Sequence, residues 1–477
     1  MHKLITYLFL ITIPFSGLAQ IAEVRTYGGL FYDEGRQVME ITNGYIMVGS
    51  TSSTDNGNSD VAVIAINEDL TLNWNVTLGG VGADQGISIC ERFEGGYFVL
   101  GTTNAGDIGG YDIVLYAIDE MGNLEWEKYY GTGDWDLATK IVRGTASYFI
   151  AGTTYGNEPG GSDQLLLRIN GNGDIVDSNN YDILPNAEMG DITFYDGFIY
   201  TVGTRTFDGG TPQGVVRKLS ANGSMIWEDV RDSTSFSGLA ITSSINGVTA
   251  GYAMTDITQD NTLDLFLVHF DPADGSEYWS FWANTPDTGN QYPRSLVWGS
   301  DEVLSASQTD LYGAGGLGAL IVRSFFSNGF YLGGSIFGGS QDDEPYSIIK
   351  DSQDRIVVLG KTESYGSGSS DFYLVRLPDE EIVNEYDLDV IDYEGVIVTG
   401  LEEIENQFAL PYPNPATETL YIPTTFSYTD WQIIDQRGAV VLTGTGSQAN
   451  VSSLSSGMYL LKWGGEDNFN IAKVIVE

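Results

Sequence analysis

Residues 82–131 have the sequence GADQGISICERFEGGYFVLGTTNAGDIGGYDIVLYAIDEMGNLEWEKYYG, in which four short apolar runs are separated by polar turns. Within the runs apolar and polar residues alternate, and the turns are rich in Gly, Asn and Asp. Alternation of this kind predicts β-strands, and the chain has no sustained helical period. The segment therefore predicts a unit of four short strands joined by tight turns.

This unit recurs at a spacing of roughly 50 residues, which is the signature of a repeat architecture. One register fits seven units. Four short strands per unit, repeated radially, predict an all-β fold, a seven-bladed β-propeller. The second run of the successive units closes on Gly49, Gly101, Gly152, Gly203, Gly251, Ser305 and Gly360.

The two ends of the repeat region are incomplete in a complementary way. Residues 21–29, IAEVRTYGG, match the fourth-run pattern of LEWEKYYGTG, but no earlier runs of that unit precede them. The seventh unit, after Phe337, lacks a fourth run. We expect the N-terminal strand to complete the last blade, which would close the ring and leave no sheet edge exposed.

The units resemble the bacterial β-propeller repeats called SBBP-type. The shared pattern is Gly-Gly, Asp, an apolar run, Gly-x-Thr, a Gly-rich loop, Asp, an apolar run, and Lys or Arg, over about residues 21–380. The resemblance implies the propeller fold. It implies no activity, because these repeats share no catalytic residues.

The first twenty residues, MHKLITYLFLITIPFSGLAQ, have the order of a secretory signal peptide. Lys3 precedes an apolar run from Leu4 to Phe15, and small residues follow up to Ala19. This order predicts a signal peptide over residues 1–19, cleaved after Ala19. The alternative, a membrane anchor, needs about 20 apolar residues, and this run is shorter. No later segment is long and apolar enough, so the sequence predicts export without a transmembrane segment.

The chain is strongly acidic, with 65 acidic against 21 basic residues and a formal net charge of −44. Such a surface repels phosphate backbones and anionic lipids, so nucleic acid and direct membrane binding are not expected. Solubility in a salty medium explains the charge, because salt screens self-repulsion. Calcium binding by some carboxylates is the alternative. Calcium is thus the one candidate cofactor, without an assigned site. Cys90 is the only cysteine, so no intramolecular disulfide forms.

The sequence predicts no catalytic residue. Besides His2 in the signal peptide, the only histidine is His269, which occupies a repeat position that holds Arg168 or Arg376 in other units. We therefore expect it to be part of the scaffold. A histidine-assisted nucleophile would need it and a nearby partner.

Two sets of residues are candidates for ligand binding. Aspartates open the first runs of four units, and if first strands line the channel their carboxylates could hold a cation or pair as acid and base at one mouth. Two tryptophans break the repeat and could stack on sugar rings at a loop face, with a buried role as the equal alternative. The recurring Trp74, Trp126, Trp227 and Trp279 should pack between blades. The candidates are Asp33, Asp84, Asp136 and Asp343 for the channel mouth, and Trp135 and Trp298 for stacking.

The propeller is expected over residues 20–378, and residues 379–408 form an acidic linker. Then Tyr412-Pro413-Asn414-Pro415 interrupts the chain, because proline fixes φ and removes a backbone donor. Alternating runs follow, with turns at Gln436-Arg437-Gly438 and Ser455-Ser456-Gly457. They predict a small β-sandwich domain over residues 409–477.

The order of these motifs resembles the type A C-terminal sorting domain of the Por (type IX) secretion system of Bacteroidetes. The resemblance implies export across the outer membrane by the type IX machinery, removal of the domain with surface attachment or release, and an immunoglobulin-like sandwich. The matching residues are Tyr412, Pro413, Asn414, Pro415, Leu420, Ile422, Asp435, Gly438, Leu454, Gly457, Tyr459 and Lys473.

Taken together, the sequence predicts a secreted or cell-surface protein that binds an extracellular glycan or protein without catalysis. One alternative is a carboxylate-based glycan-degrading enzyme, and another is a structural surface adhesin. A propeller supports all three, so the fold does not choose among them. An acidic pair with aromatic residues in one pocket would favour the enzyme, and carboxylates scattered round the ring would favour binding.

Overall fold

A computed structural model describes residues 23–53, 58–105, 110–156, 161–182, 186–255, 262–283, 289–299, 301–310, 316–325, 327–366, 368–377, 390–391, 416–422, 430–434, 440–464 and 469–476. The chain divides into two compact units, Met1–Leu401 and Glu402–Glu477. The predicted domain limits after residues 19, 378 and 408 all fall outside the described residues and stay predictions.

Short strands make up the first unit, and no helix occurs in its described residues. The strands are β1 (Glu23–Tyr27), β2 (Asp33–Ile41), β3 (Gly44–Thr51), β4 (Asp60–Asn67), β5 (Leu72–Leu78), β6 (Asp84–Glu91), β7 (Tyr97–Thr103), β8 (Asp112–Ile118), β9 (Leu124–Tyr130), β10 (Asp136–Arg143), β11 (Tyr148–Thr154), β12 (Asp163–Ile169), β13 (Ile175–Tyr181), β14 (Asn186–Tyr195), β15 (Phe198–Thr206), β16 (Gln213–Ser220), β17 (Met225–Arg231), β18 (Phe236–Ser244), β19 (Gly247–Thr255), β20 (Leu263–Phe270), β21 (Glu277–Ala283), β22 (Gln291–Trp298), β23 (Glu302–Thr309), β24 (Gly318–Phe325), β25 (Tyr331–Phe337), β26 (Asp343–Lys350), β27 (Ile356–Thr362), β28 (Asp371–Leu377) and β29 (Val390–Ile391).

These strands form sheets with four antiparallel strands each, which we number along the chain, and in six of the sheets these four strands are consecutive. Sheets 1 to 6 begin with β2, β6, β10, β14, β18 and β22, and sheet 7 has the order β1-β28-β27-β26; β29 adds a parallel strand to sheet 6. The first strand of each sheet contacts the first strand of the next, and β26 contacts β2. The described residues thus contain seven sheets in a closed circle, and the predicted all-β propeller is confirmed.

The predicted closure of the ring is confirmed. Strand β1 pairs antiparallel with β28, in a register that runs from Glu23 opposite Arg376 to Tyr27 opposite Phe372. The hydroxyl of Tyr27 then donates a hydrogen bond of 2.7 Å to the carbonyl of Leu70 in sheet 1. The N-terminal strand therefore completes sheet 7 and ties it to its neighbour.

The core lies between neighbouring sheets, because the second and third strands carry the longest apolar runs. Every residue of β7 and β8 is buried, whereas β9 at the outer edge is mostly exposed. Phe98 and Leu115 of sheet 2 pack in one cluster with Ile150 and Leu167 of sheet 3. Each such side chain stabilises the fold by about 1.5–3 kcal/mol when fully buried.

The glycine that closes the second run of most units makes room for the first strand. A Cβ at Gly101 would lie 2.6 Å from the carbonyl oxygen of Gln85, and one at Gly152 would lie 2.6 Å from that of Leu137. Real Cβ atoms do not approach this closely, so the repeat needs glycine here.

The hydroxyl residue directly after this glycine joins neighbouring sheets. Thr102 Oγ1 accepts a hydrogen bond of 3.0 Å from the N–H of Ala138, which lies in the first strand of the next sheet. The same bond recurs from Gly86 to Ser50, from Met189 to Thr153 and from Gly238 to Thr204. This contact explains why a hydroxyl residue follows the glycine in these units.

The recurring tryptophans pack between sheets, as predicted. In each case the indole of the fourth strand lies against the glycine of the last turn in the next sheet. A Cβ at that glycine would fall 2.5–2.8 Å from the ring, in the pairs Trp74 with Gly122, Trp126 with Gly173, Trp227 with Gly275, and Trp279 with Gly329.

The second unit has its own small core. Ala416, Trp431, Ile433, Leu461 and Val474 belong to one buried cluster. One sheet has the order β32-β31-β34-β35, and β30 pairs with β33. The immunoglobulin-like assignment stays a prediction. The strands are β30 (Thr419–Tyr421), β31 (Asp430–Ile434), β32 (Val440–Thr445), β33 (Gln448–Asn450), β34 (Gly457–Gly464) and β35 (Phe469–Val476).

Candidate functional site

Each first strand of the propeller has a β-bulge at the same place. There the pairing with the second strand skips one residue, which is left unpaired in the strand that borders the axis of the ring. Bulges redirect side chains and often lie next to functional sites. From sheet 1 to sheet 7 the skipped residues are Arg36, Ile87, Thr139, Gly190, Leu239, Arg294 and Tyr346.

The bulge residues divide the ring into two parts. Sheets 2 to 5 have small or apolar residues at this position, whereas the consecutive sheets 6, 7 and 1 have Arg294, Tyr346 and Arg36. Charged residues lie around these three. We call the set of Glu34, Arg36, Arg294, Glu344, Tyr346 and Lys361 the inner cluster.

Tyr346 lies at the centre of the inner cluster. The guanidinium carbon of Arg36 lies 4.1 Å from the centre of its ring, and that of Arg294 lies 5.6 Å away. Both distances are within the range of a cation–π contact. The side chains of Arg36 and Arg294 are 32% and 33% exposed, so the cluster is accessible to a ligand.

The two carboxylates of the cluster use all four of their oxygens. Glu34 accepts hydrogen bonds of 2.9 Å from Arg36 Nε and 2.7 Å from the Tyr32 hydroxyl, on different oxygens. Glu344 Oε1 lies 3.1 Å from Lys361 Nζ, and its Oε2 accepts a bond of 3.2 Å from the hydroxyl of Tyr346. The carboxylates therefore hold the cationic and phenolic groups in place.

Burial and charge fix the protonation of the cluster. Burial raises the pKa of Tyr346 to about 12, so its phenol is protonated at neutral pH. Burial lowers the pKa of Lys361, but Glu363 and Glu344 raise it by a larger amount. The net shift of this pKa is therefore upward. Burial also lowers the pKa of Arg36, but Glu34, Tyr346 and Tyr32 together raise it by more, so the net shift is upward. Both cations keep their charge.

The sequence analysis missed this cluster, although the repeat contains a signal for it. The first runs of sheets 6, 7 and 1 are QYPRS, DEPYS and DEGRQ, whereas those of sheets 2, 3 and 4 are DQGIS, DLATK and AEMGD. Lys361 directly follows Gly360. Four other units have at this position the hydroxyl residue that accepts a hydrogen bond from the next sheet. Only the bulge shows that the fourth position of these runs borders the axis.

The predicted channel-mouth carboxylates are buried and lie in four different sheets. Each accepts a hydrogen bond from a backbone N–H in the turn before its strand: Asp33 from Gly29 at 2.6 Å, and Asp343 from Gly339 at 2.7 Å. Burial raises the pKa of both carboxyls. Asp84 and Asp136 make the same bond at 3.0 Å and 2.6 Å. These bonds hold the four carboxylates against the turns that precede the first strands.

Three of these aspartates, Asp33, Asp84 and Asp136, each lie near a second aspartate that opens the third strand of the preceding sheet, which was not predicted. A Cβ at Gly131 would lie 3.3 Å from Asp136 Oδ2 and would collide with Asp112, which opens the third strand of the preceding sheet. No group of three or more His, Cys, Asp or Glu side chains in the described residues is placed to hold a metal ion. Calcium binding stays a prediction.

The two predicted stacking residues differ in their surroundings. Trp135, between β9 and β10, is 50% exposed, and its ring centre lies 5.5 Å from that of Tyr111 and 6.3 Å from that of Tyr155. Trp298 is half-buried and lies 5.4 Å from the ring of His269. A ligand-stacking role stays a prediction for both tryptophans.

His269 is buried within the scaffold. Its Nδ1 lies 3.1 Å from the Thr249 hydroxyl, and its Nε2 lies 3.1 Å from the Asn246 carbonyl oxygen. The indole of Trp279 stacks on the ring at 5.2 Å between ring centres. Burial lowers the pKa of this imidazole, which favours its neutral form.

The second unit contains the residues of the predicted sorting motif. Leu454 and Tyr459 pack against its core, and the Tyr459 hydroxyl donates a bond of 2.8 Å to the carbonyl of Ser455. Gly457 begins β34, and Lys473 lies in β35. The remaining motif residues, Tyr412, Pro413, Asn414, Pro415, Asp435 and Gly438, lie outside the described residues.

The chain directly after this proline motif joins the last strand. Ala416 pairs with Val476 in a parallel bridge and donates a hydrogen bond of 2.8 Å to the Ile475 carbonyl. A scan of family models matches residues 411–477 to the secretion system C-terminal sorting domain. The module is a type IX sorting domain. The protein is therefore exported to the cell surface or the extracellular space.

Solved structures similar to this chain include polysaccharide lyase Uly1, at 10% identity and a TM-score of 0.46, covering 74% of this chain and 92% of that one. They also include a subtype N10 neuraminidase-like protein of A/little yellow-shouldered bat/Guatemala, at 9% identity and a TM-score of 0.39, covering 60% and 93%. At this level of identity the likeness carries no information on activity. No curated protein matches the chain. A membrane-crossing helix is not found among the described residues.

Proposed function

We propose that this protein is a secreted or cell-surface β-propeller that binds an extracellular glycan at the inner cluster, without changing it chemically. The observation that carries the proposal is that the repeat departs from its own pattern in three consecutive sheets. At the bulge position, where sheets 2 to 5 have small or apolar residues, Arg36, Arg294 and Tyr346 form one half-exposed group.

The chemistry of the cluster suits a sugar. Guanidinium, ammonium and phenol groups donate hydrogen bonds, and they surround an aromatic ring in a partly buried place. A few placed polar groups among apolar surface are typical of small-ligand sites. A stable protein interface buries about 800 Å² on each partner, which exceeds what six side chains provide. The cluster therefore favours a glycan segment over a folded protein.

Binding without catalysis is supported by the state of the carboxylates. A general acid or base must reach the reacting proton within about 2.6–3.2 Å. In this cluster all four oxygens of Glu34 and Glu344 already face donors of the protein. The four aspartates that begin first strands are buried, and each lies in a different sheet, so they do not share one pocket.

The test is to incubate the full-length protein with a panel of extracellular polysaccharides and to measure both binding and release of sugar. Tyr346→Ala removes the ring at the centre of the cluster. Thr139→Ala changes the bulge residue of sheet 3 and is the matched control. We expect the wild type and Thr139→Ala to bind the same glycan, and Tyr346→Ala to bind at least about tenfold more weakly, a loss of about 1.4 kcal/mol.

Three results would contradict the proposal. Equal binding by all three proteins would place the glycan site elsewhere. Release of soluble sugar during incubation would favour the glycan-degrading enzyme. If no glycan binds and loss of the protein only weakens cell attachment, the adhesin is the better description. Urea unfolding of Tyr346→Ala, together with Tyr346→Phe, separates a binding defect from a folding defect, because phenylalanine retains the ring.

A further inference from the structure

Among the described residues, the inner cluster contains one buried donor without a hydrogen-bond partner. Nε of Arg294 is buried and has no hydrogen-bond partner among the described residues. The other end of the same guanidinium is engaged, because Nη2 donates to Gln308 and lies 3.7 Å from Glu344. Nε itself is closed to solvent, but the Arg294 side chain as a whole is 33% exposed, so a ligand can reach the open part of the guanidinium.

The second arginine is held differently. Arg36 directs Nε and Nη2 at a single oxygen of Glu34, at 2.9 Å and 2.8 Å, so its charge is compensated by the protein. In the part of the chain that the structure describes, the carboxylate that pairs with Arg294 is that of Glu344, and its Oε2 lies 3.7 Å from Nη2. Arg294 is therefore the group of the cluster whose charge is least satisfied.

A carboxylate is the acceptor that suits this arrangement. A guanidinium is planar and donates in a rigid fork that matches a carboxylate, and such charge-assisted bonds are roughly twice as strong as neutral ones. A sugar hydroxyl would accept a hydrogen bond from the guanidinium but would not compensate its charge.

We propose that the bound glycan contains a uronic acid, and that Arg294 binds its carboxylate beside the ring of Tyr346, with Arg36 next to the same ring. This inference rests on the proposed function, since it names the class of sugar that the inner cluster takes. The wider charge of the protein is screened at physiological salt beyond roughly 8 Å, so the site acts at short range.

The test uses pairs of polymers that differ only in charge. The full-length protein is titrated with polygalacturonate, alginate and a glucuronate-bearing xylan, each next to its carboxyl-reduced form, and with sulfated dextran. We expect at least one uronate polymer to bind about tenfold or more tightly than its reduced form, a difference of one charge-assisted contact. Arg294→Gln should remove that preference, because the neutral amide cannot compensate the carboxylate charge.

Arg143→Gln is the matched control, because Arg143 is an exposed arginine of sheet 3 that pairs with Glu91. It should retain the preference, and urea unfolding of both variants should show intact folds. Equal binding of the acidic and reduced forms overturns the uronic acid inference but leaves glycan binding standing. Tighter binding of sulfated dextran overturns it as well, in favour of a sulfate. If neither form of any polymer binds, the proposed function itself fails.

Discussion

Arg376 in β28 and Glu23 in β1 form an ion pair, with Nε 2.7 Å from Oε2, that joins the first and last strands of the propeller. The same guanidinium donates a hydrogen bond of 2.7 Å to the carbonyl of Glu68 in sheet 1. A single buried side chain thus links the closing strand, sheet 7 and sheet 1. These side-chain contacts of Arg376 therefore stabilise the closed propeller in addition to the backbone hydrogen bonds between β1 and β28.

We predict that Arg376→Ala destabilises the protein by about 2–4 kcal/mol. The substitution leaves the Glu68 carbonyl and a carboxylate without their donor in a place where Arg376 is only 5% exposed. Urea unfolding followed by fluorescence measures the loss. Arg143→Ala, which removes an exposed pair with Glu91, should cost less than about 1 kcal/mol. Similar losses for the two variants would contradict a special role for the closure.

The packing of Trp74 against Gly122 yields a prediction with an internal control. Gly122 has φ = +85°, and a Cβ there would lie 2.7 Å from the indole. Gly197 has φ = +81°, and nothing lies within 4 Å of its Cβ position. Both Gly→Ala substitutions cost about 1–2 kcal/mol for the backbone, but only Gly122→Ala adds about 1–3 kcal/mol for crowding.

Thermal melting of the two glycine variants measures this difference. Adding Trp74→Ala to Gly122→Ala should recover part of the crowding cost, because the indole that the new Cβ meets is gone. If Gly122→Ala and Gly197→Ala lower the melting temperature equally, the tryptophan is not packed against the turn in solution.

The hydroxyl contacts between sheets can be tested at Thr102, whose Oγ1 accepts the N–H of Ala138 at 3.0 Å. Thr102→Val has the same shape but leaves this N–H without an acceptor, and we expect a loss of about 1–3 kcal/mol in the free energy of unfolding. Thr102→Ser retains the hydroxyl and should be closer to the wild type. A loss in Thr102→Ser as large as that in Thr102→Val would contradict a specific contribution of the hydrogen bond.

The architecture was predictable because it depends on a repeated pattern. Alternating runs and the incomplete units at both ends predict the strands and the pairing of β1 with β28, and the structure contains both. The recurring Trp74 and its equivalents could be assigned to packing, since one residue type at one repeat position meets the same neighbour each time. Because the units repeat, a pattern within one unit also predicts contacts between residues that are far apart in sequence.

The inner cluster could not be predicted, because its members are far apart in sequence and differ from the repeat. The guanidinium carbon of Arg36 lies 4.1 Å from the ring centre of Tyr346 only because the circle of sheets closes and because a bulge turns both residues toward the propeller axis. A bulge has no clear sequence signature, and its extra residue reverses the side-chain alternation. The bond that Asp136 accepts from the backbone N–H of Thr132 was not predicted either, and the channel-mouth role of Asp136 stays a prediction.

The buried imidazole of His269 predicts the response of stability to mild acid. Burial lowers its pKa below the ordinary 6.5, so the unfolded chain binds a proton at a pH where the folded protein does not. The free energy of unfolding that this group contributes is therefore complete above about pH 6.5 and is lost as the pH falls toward the lowered value. Urea unfolding at pH 8 and pH 5.5 should show a smaller acid-induced loss for His269→Gln than for the wild type. Equal losses in the two proteins would assign the acid sensitivity to carboxyl groups, because His269 is the only histidine beyond the predicted signal peptide.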